Sequence, residues 1–245
     1  MHAGQQPEED ASLWYAVSHR RLDEVRRLLA FGTSADAKGG KNTTPLQAAA
    51  IRGHTNTVQL LLDYNADVST LSPGDTRSCI LSSAVRNSHV EVAELLIKHG
   101  ADVSLKDMAG VSPLTVCCTS WTARRRGEES MAALLRHGAD VCSRDAVGFT
   151  ALHCAASTGY VAAIRLLILH GANVLAECDK GHTAEHYARS GQKLHREAEK
   201  VLGVERVTRA KCVAFAMGYH ERLGVSSVVN VFNLEVLRIV LQYVE

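Results

Sequence analysis

The chain has 245 residues, with 27 basic against 26 acidic side chains, a formal net charge of +1, and 46% hydrophobic residues. This balance creates no global field toward nucleic acid or a membrane surface, so a charged partner must be met by a local patch. The opening MHAGQQPEEDASLW is acidic where a secretory signal needs an apolar run, and no stretch approaches the ~20 apolar residues of a membrane helix, so the chain is expected in the cytoplasm, with the nucleus also compatible.

Residues 1–11 read as a polar, mobile terminus. From Ser12 onward, Leu13, Ala16 and Val17, then Val25, Leu28 and Leu29, fall at helical spacing and predict a pair of short helices, with Arg20, Arg21, Arg26 and Arg27 facing water. The pattern returns from about Asn42 to Val68, with Leu46, Ala48 and Ala49 followed by Val58, Leu61 and Leu62, and again from about Arg77 to Val103. A fourth copy is stretched. Leu114 to Gly138 spans 24 residues, where Leu81 to Gly100 and Leu152 to Gly171 each span 19. About five residues are therefore inserted between its helices, placing Thr119–Gly127 in an enlarged loop or an extended helix end. The fifth copy, Asp145 to Val174, is the clearest, with Ile164, Leu167 and Ile168 forming a stripe that two short helices cannot bury alone. A sixth begins at Asp179, and its second helix is expected over His195 to Leu202.

The copies share punctuation. Gly-Ala-Asp/Asn-Val recurs at Gly100, Gly138 and Gly171, with a looser form at Asn65, in steps of 35, 38 and 33 residues. Thr44-Pro45-Leu46-Gln47-Ala48-Ala49, Ser112-Pro113-Leu114 and Thr150-Ala151-Leu152-His153 open the first helix of their copies. A period near 33 with this helix start resembles the ankyrin-repeat family, over roughly residues 12–202. The resemblance implies an all-α solenoid of stacked helix-turn-helix units joined by β-hairpin loops. It also implies that His153 is structural, bonded to Thr150 across the helix start. The third copy departs from the pattern, with Cys79-Ile80-Leu81-Ser82 in place of the usual start.

Residues 203–245 fall outside the repeats and are expected to form a helical cap over the last one. Val207 to Tyr219 has a helical pattern, and Leu234, Leu237, Val240, Leu241 and Val244 form a later stripe. Phe232 to Val244 also looks like the opening helix of an F-box, which implies a ubiquitin-ligase adaptor as an alternative partner through 232–244. Asn233 stands where that family has Pro, and the sequence given stops at Glu245, before the module's remaining helices.

Catalytic chemistry finds little support. Gly39-Gly40-Lys41-Asn42 lacks the first Gly and the Ser/Thr of a phosphate loop and reads as a hairpin tip. His220-Glu221-Arg222-Leu223-Gly224 has Gly224 where a zinc-protease helix needs its second His. His182 and His186 stand four apart without an evident third ligand. Seven cysteines without a C-x-x-C pair read as reduced thiols, mostly at small apolar helix positions. No cofactor, metal or enzymatic activity is expected.

The resemblance implies recognition of another protein through hairpin tips and the exposed side of the first helices, together a concave face. Repeat alignment places Ile51, Arg52, Arg86, Asn87, Thr119, Ser120, Ser157 and Thr158 on those helices, and Lys41, Asp75, Met108, Val111, Val147, Phe149 and Lys180 at the tips. Trp121 with Arg124, Arg125 and Arg126 forms a further candidate, because Trp and Arg dominate binding hot spots. The other reading of that group folds Trp121 onto its own helices, with the arginines balancing Glu128 and Glu129. Three arginines beside two glutamates, with no interleaved aromatics, argue against nucleic acid.

Overall fold

A computed structural model describes residues 13–39, 42–72, 78–119, 123–190 and 196–207. Helices come in pairs. The first helix of each pair is α1 (13–18), α3 (Pro45–Arg52), α5 (Ile80–Arg86), α7 (Pro113–Thr119), α9 (Ala151–Thr158) and α11 (Ala184–Arg189). The second is α2 (Leu22–Ala30), α4 (Thr55–Asp63), α6 (Val90–Lys98), α8 (Ala123–Arg136), α10 (Val161–Leu169) and α12 (196–207). First helices pack in the row α3, α5, α7, α9, α11, and second helices in the row α2, α4, α6, α8, α10. The result is a two-layer stack in which each repeat touches its neighbours, as a solenoid requires.

Small residues let the first layer close up. In α3, Pro45 to Ala50 are all buried, and in α9 so are Ala151 to Ala156. Between the layers the larger side chains interlock: Leu46, Leu61, Leu81, Leu96, Leu114, Leu134, Leu152 and Ile164 are at most 1% exposed. Each such side chain contributes ~1.5–3 kcal/mol on burial, enough in sum to hold helices of seven to nine residues that are marginal alone.

Pairs are turned by a left-handed residue: Gly53 at φ +70° and Gly159 at +65°, but Ser88 at +61° in the third repeat. The hairpin loops close with single N–H to C=O bonds, from Asp107 to Val111 (3.1 Å) and from Asp145 to Phe149 (2.9 Å), rather than as long ladders. Two isolated antiparallel bridges, Leu71 with Cys79 and Glu177 with Thr183, are the β-structure among the described residues.

Of the two placements expected for the fourth-repeat insertion, an enlarged loop or an extended helix end, residues 123–127 take the helical one: α8 has 14 residues where α4, α6 and α10 have 9. Gly127 stands in a run of good helix formers, Ala123 to Arg126 before it and Glu128 and Glu129 after, which offsets its cost. The second helix of the sixth repeat runs over 196–207, past its expected end at Leu202. Glu185 explains the extension. Its buried carboxylate accepts from Arg189 at 2.6 Å and pairs with Arg206 at 2.9 Å, tying the end of α12 to α11. The stripe at 234–244 and the residues beyond 207 lie outside the described residues.

Candidate functional site

Among the described residues, side-chain bonds close the starts of α3, α5, α7 and α9, and others tie helix ends of neighbouring repeats together. At the start, Thr44 Oγ1 accepts from Gln47 N (3.2 Å) while Gln47 Oε1 accepts from Thr44 N (3.0 Å), a reciprocal cap. Ser112 Oγ accepts from Thr115 N at 3.3 Å. In the third repeat Cys79 Sγ takes over the task, accepting from Ser82 N at 3.3 Å. In the fifth, His153 Nδ1 accepts from Thr150 N (3.2 Å) and lies 2.9 Å from Thr150 Oγ1. A backbone N–H can only donate, so the imidazole proton sits on Nε2, which donates to the His182 carbonyl of the next repeat at 3.1 Å. Burial, the main cause, holds the His153 pKa below its ordinary value and keeps this tautomer neutral.

At the other end, a side chain at three of the turns reaches back to the preceding repeat. His54 Nδ1 donates to Val17 O (3.2 Å), His89 Nε2 to Ile51 O (3.1 Å), and Thr158 Oγ1 to Cys118 O (3.1 Å). These bonds give carbonyls at the helix C-termini a partner from the next repeat. Sequence reasoning singled out Thr158 for partner contact and missed both histidine ties. A His following the turn in two successive copies was the available signal.

The exposed row is now defined. Ile51 is 40% exposed, Arg52, Arg86, Asn87, Thr119 and Ser157 are exposed, and Thr158 is half-buried. Several fold back on their own helix: Arg52 donates to Ala48 O (3.0 Å), Asn87 to Ser83 O (2.8 Å) and Ser157 to Cys154 O (3.0 Å). Among the tips, Met108 is 68% and Val147 56% exposed. Neighbouring tips touch through Ala146 N to Ala109 O (3.0 Å) and Asp179 N to Val147 O (3.3 Å). Phe149 is placed differently from the exposed tip residues. It is half-buried, 5.4 Å from the His153 ring and 4.8 Å from Tyr187. Val111 is half-buried and Lys180 exposed. Arg124, Arg125 and Arg126 belong to the first turn of α8, while Lys41, Asp75, Ser120 and Trp121 lie outside the described residues.

Three buried cysteines are held as thiols. Burial pushes Cys117 and Cys154 up to about 12, and Cys118 well above its ordinary value. Cys142 differs in being exposed. Cys178 occupies the hairpin position of Asp107 and Asp145. Burial pushes its pKa up, but the Tyr187 hydroxyl at 3.3 Å and backbone bonds at His182 and Lys180 outweigh that and leave it lowered. His182 and His186 stack with ring centroids 3.9 Å apart, and among the described residues no group of three or more His, Cys, Asp or Glu is placed to hold a metal. No described helix is long and apolar enough to cross a membrane.

The family described as "Ankyrin repeats (3 copies)" matches residues 13–107 and 119–202. Three curated relatives align with most of the chain. A putative palmitoyltransferase ZDHHC13 of Danio rerio is 32% identical over 173 residues, 70% of this chain and 26% of that protein. The human mitochondrial disaggregase is 30% identical over 202 residues, 78% of this chain and 26% of that protein. The human ankyrin repeat and SOCS box protein 16 is 31% identical over 176 residues, 71% of this chain and 39% of that protein. The aligned part thus spans between about a quarter and two fifths of these relatives.

Proposed function

The chain belongs to the ankyrin-repeat proteins, whose repeats generally mediate protein binding, and from that premise we propose that it is a non-enzymatic scaffold gripping a protein partner through its first helices and hairpin tips. The observation that carries this reading is the fixed row Ile51, Arg52, Arg86, Asn87, Thr119 and Ser157, exposed on helices whose ends are bonded from repeat to repeat. Such a row is preorganised, so a partner pays little ordering cost on the scaffold side. The cysteines favour the non-enzymatic reading, because neutral buried thiols at Cys117, Cys118 and Cys154 are poor nucleophiles.

The test is affinity capture from the native cell with the intact chain beside Ile51→Glu, Arg86→Glu and Ser157→Trp variants that retain the wild-type melting curve. Loss of the same specific protein from all three variants is expected. Retention of every specific partner by all three would overturn the site.

A second reading makes the chain a substrate receptor that recruits a ubiquitin-ligase adaptor through 232–244. It is favoured by the amphipathic stripe Leu234, Leu237, Val240, Leu241 and Val244. Deleting residues 230–245 is then expected to abolish adaptor binding while leaving the repeats folded. If the same deletion instead melts α11 and α12, the segment serves as a cap.

A further inference from the structure

The sixth repeat is held together by different side chains from the four before it. Counting from the residue that precedes each first helix, the second position is Leu46, Leu81, Leu114 and Leu152 in repeats two to five, each at most 1% exposed, but Glu185 in α11. The sixth position is Ala50, Val85, Cys118 and Ala156, all buried, but the exposed Arg189 in α11. Two places of the interlock between layers have thus become charged, and the charges answer one another. Glu185 accepts from Arg189 at 2.6 Å and pairs with Arg206 of α12 at 2.9 Å, while Arg189 reaches Glu199 of α12 at 3.1 Å. A Cβ at Gly203 would come within 3.7 Å of Glu185 Oε1, so the carboxylate lies against α12 itself. Apolar burial is correspondingly thinner. Among the described residues α12 buries Ala198 and Leu202, with Val201 half-buried, where α6 buries Val92, Ala93 and Leu96 and α10 buries Ala163, Ile164 and Leu167.

We infer that α12 is an electrostatic latch, docked on α11 through the Glu185–Arg206 and Arg189–Glu199 pairs and able to open by itself while the helices of repeats two to five stay closed. The inference goes beyond the protein-binding reading and does not rest on it, because the exposed row stands on α3, α5, α7 and α9. A leucine interlock holds at any ionic strength, but these arginines are 59% and 49% exposed, so salt screens their pairs. Glu185 adds a second reason. A carboxylate at a core position is tolerated only while both arginines stay with it, and departure of α12 gives it back to water. Opening therefore regains hydration that no apolar joint would regain, and it loses only a small apolar contact. Elements with few buried apolar contacts are the ones that open below the free energy of global unfolding. Residues 208–245 follow directly on α12, so the latch also decides whether their point of attachment is fixed to the stack.

The test is amide hydrogen exchange of the intact chain, read by mass spectrometry over α6, α10 and α12. Raising sodium chloride from about 50 mM to about 1 M is expected to speed exchange in α12 at least about threefold and to leave α6 and α10 unchanged. Arg206→Gln strands the Glu185 carboxylate with one arginine and is expected to speed α12 at least about tenfold, again without touching α6 or α10. Glu185→Leu combined with Arg206→Leu puts back the apolar joint of the other repeats and is expected to slow α12 and abolish its response to salt. Exchange in α12 that matches α10 at both salt concentrations overturns the latch. So does an equal salt response in the double-leucine variant, and so does acceleration that spreads from α12 through α10 and α6, which would make the stack one cooperative unit. Should Arg206→Gln fail to fold, the salt series on the unaltered chain decides by the same criteria.

Discussion

The third and fifth repeats solve the same structural problem with different atoms. In the fifth, Thr150 and His153 close the helix start, His153 also grips the next repeat, and Gly159 makes the turn at φ +65° without a Cβ to strain. In the third, a thiol caps α5, its bond toward the next repeat is a 3.8 Å contact from Cys79 Sγ to Leu105 O, and Ser88 is forced to φ +61°. Yet the two are equally well packed, with Leu81 and Leu152 each 1% exposed. The pairing teaches that burial sets whether a repeat forms, while local bonding sets how firmly it is joined to the next.

Core truncation gives the largest effect and ignores the difference between the repeats. Leu152→Ala and Leu81→Ala are each expected to cost ~2–5 kcal/mol in urea denaturation, within about 1 kcal/mol of one another, because each leaves a cavity in the same layer. A clear gap between them would mean that capping, not burial, controls repeat formation.

Cap removal then separates the two repeats. His153→Ala leaves the Thr150 N–H and the His182 carbonyl without their partner and is expected to cost ~1–3 kcal/mol. Cys79→Ala removes a weak sulfur acceptor and is expected to cost less, ~0.5 kcal/mol. Equal losses would break the contrast.

Acidity acts on the same bonds. His153 and His54 both have folded pKa values lowered mainly by burial, so the unfolded chain takes up protons first as pH falls. Their contribution is therefore complete above an unfolded pKa near 6.5 and is lost as the pH drops from there toward the lower folded values. A His153→Gln variant is expected to show a shallower decline of melting temperature between neutral and mildly acidic pH. An unchanged slope would remove His153 from the account.

The smallest effect tests the turn. Ser88→Gly relieves a left-handed backbone and is expected to stabilise the third repeat by no more than ~1 kcal/mol, whereas Gly159→Ala introduces that strain and destabilises the fifth. Gly53→Ala is more damaging still, because its new Cβ would run into the His89 ring. Thermal melting of the three variants orders them.

Much of the architecture could be read from residues close together in the chain. Helix stripes such as Val58, Leu61 and Leu62, the Thr-Pro-Leu start at Thr44 and the glycines at 53 and 159 act within one repeat, and their spacing signals their role directly. The binding face was legible only as positions. Thr158 turned out to hold Cys118 O, 40 residues away, and Phe149 to pack on Tyr187 of the next repeat. The insertion before Glu128 had two local solutions, and the extended α8 is the one adopted.

What the sequence settled by itself was the repeating unit: a short-range pattern of apolar stripes, caps and glycines, which follows from helix geometry and needs no knowledge of the neighbours. Tertiary structure alone decided how the units are joined and which side chains remain available. His54, His89 and His153 find carbonyls 37, 38 and 29 residues away only once the stack exists. The physical reason is distance along the chain. A contact between repeats depends on where two surfaces meet, and no local spacing encodes that.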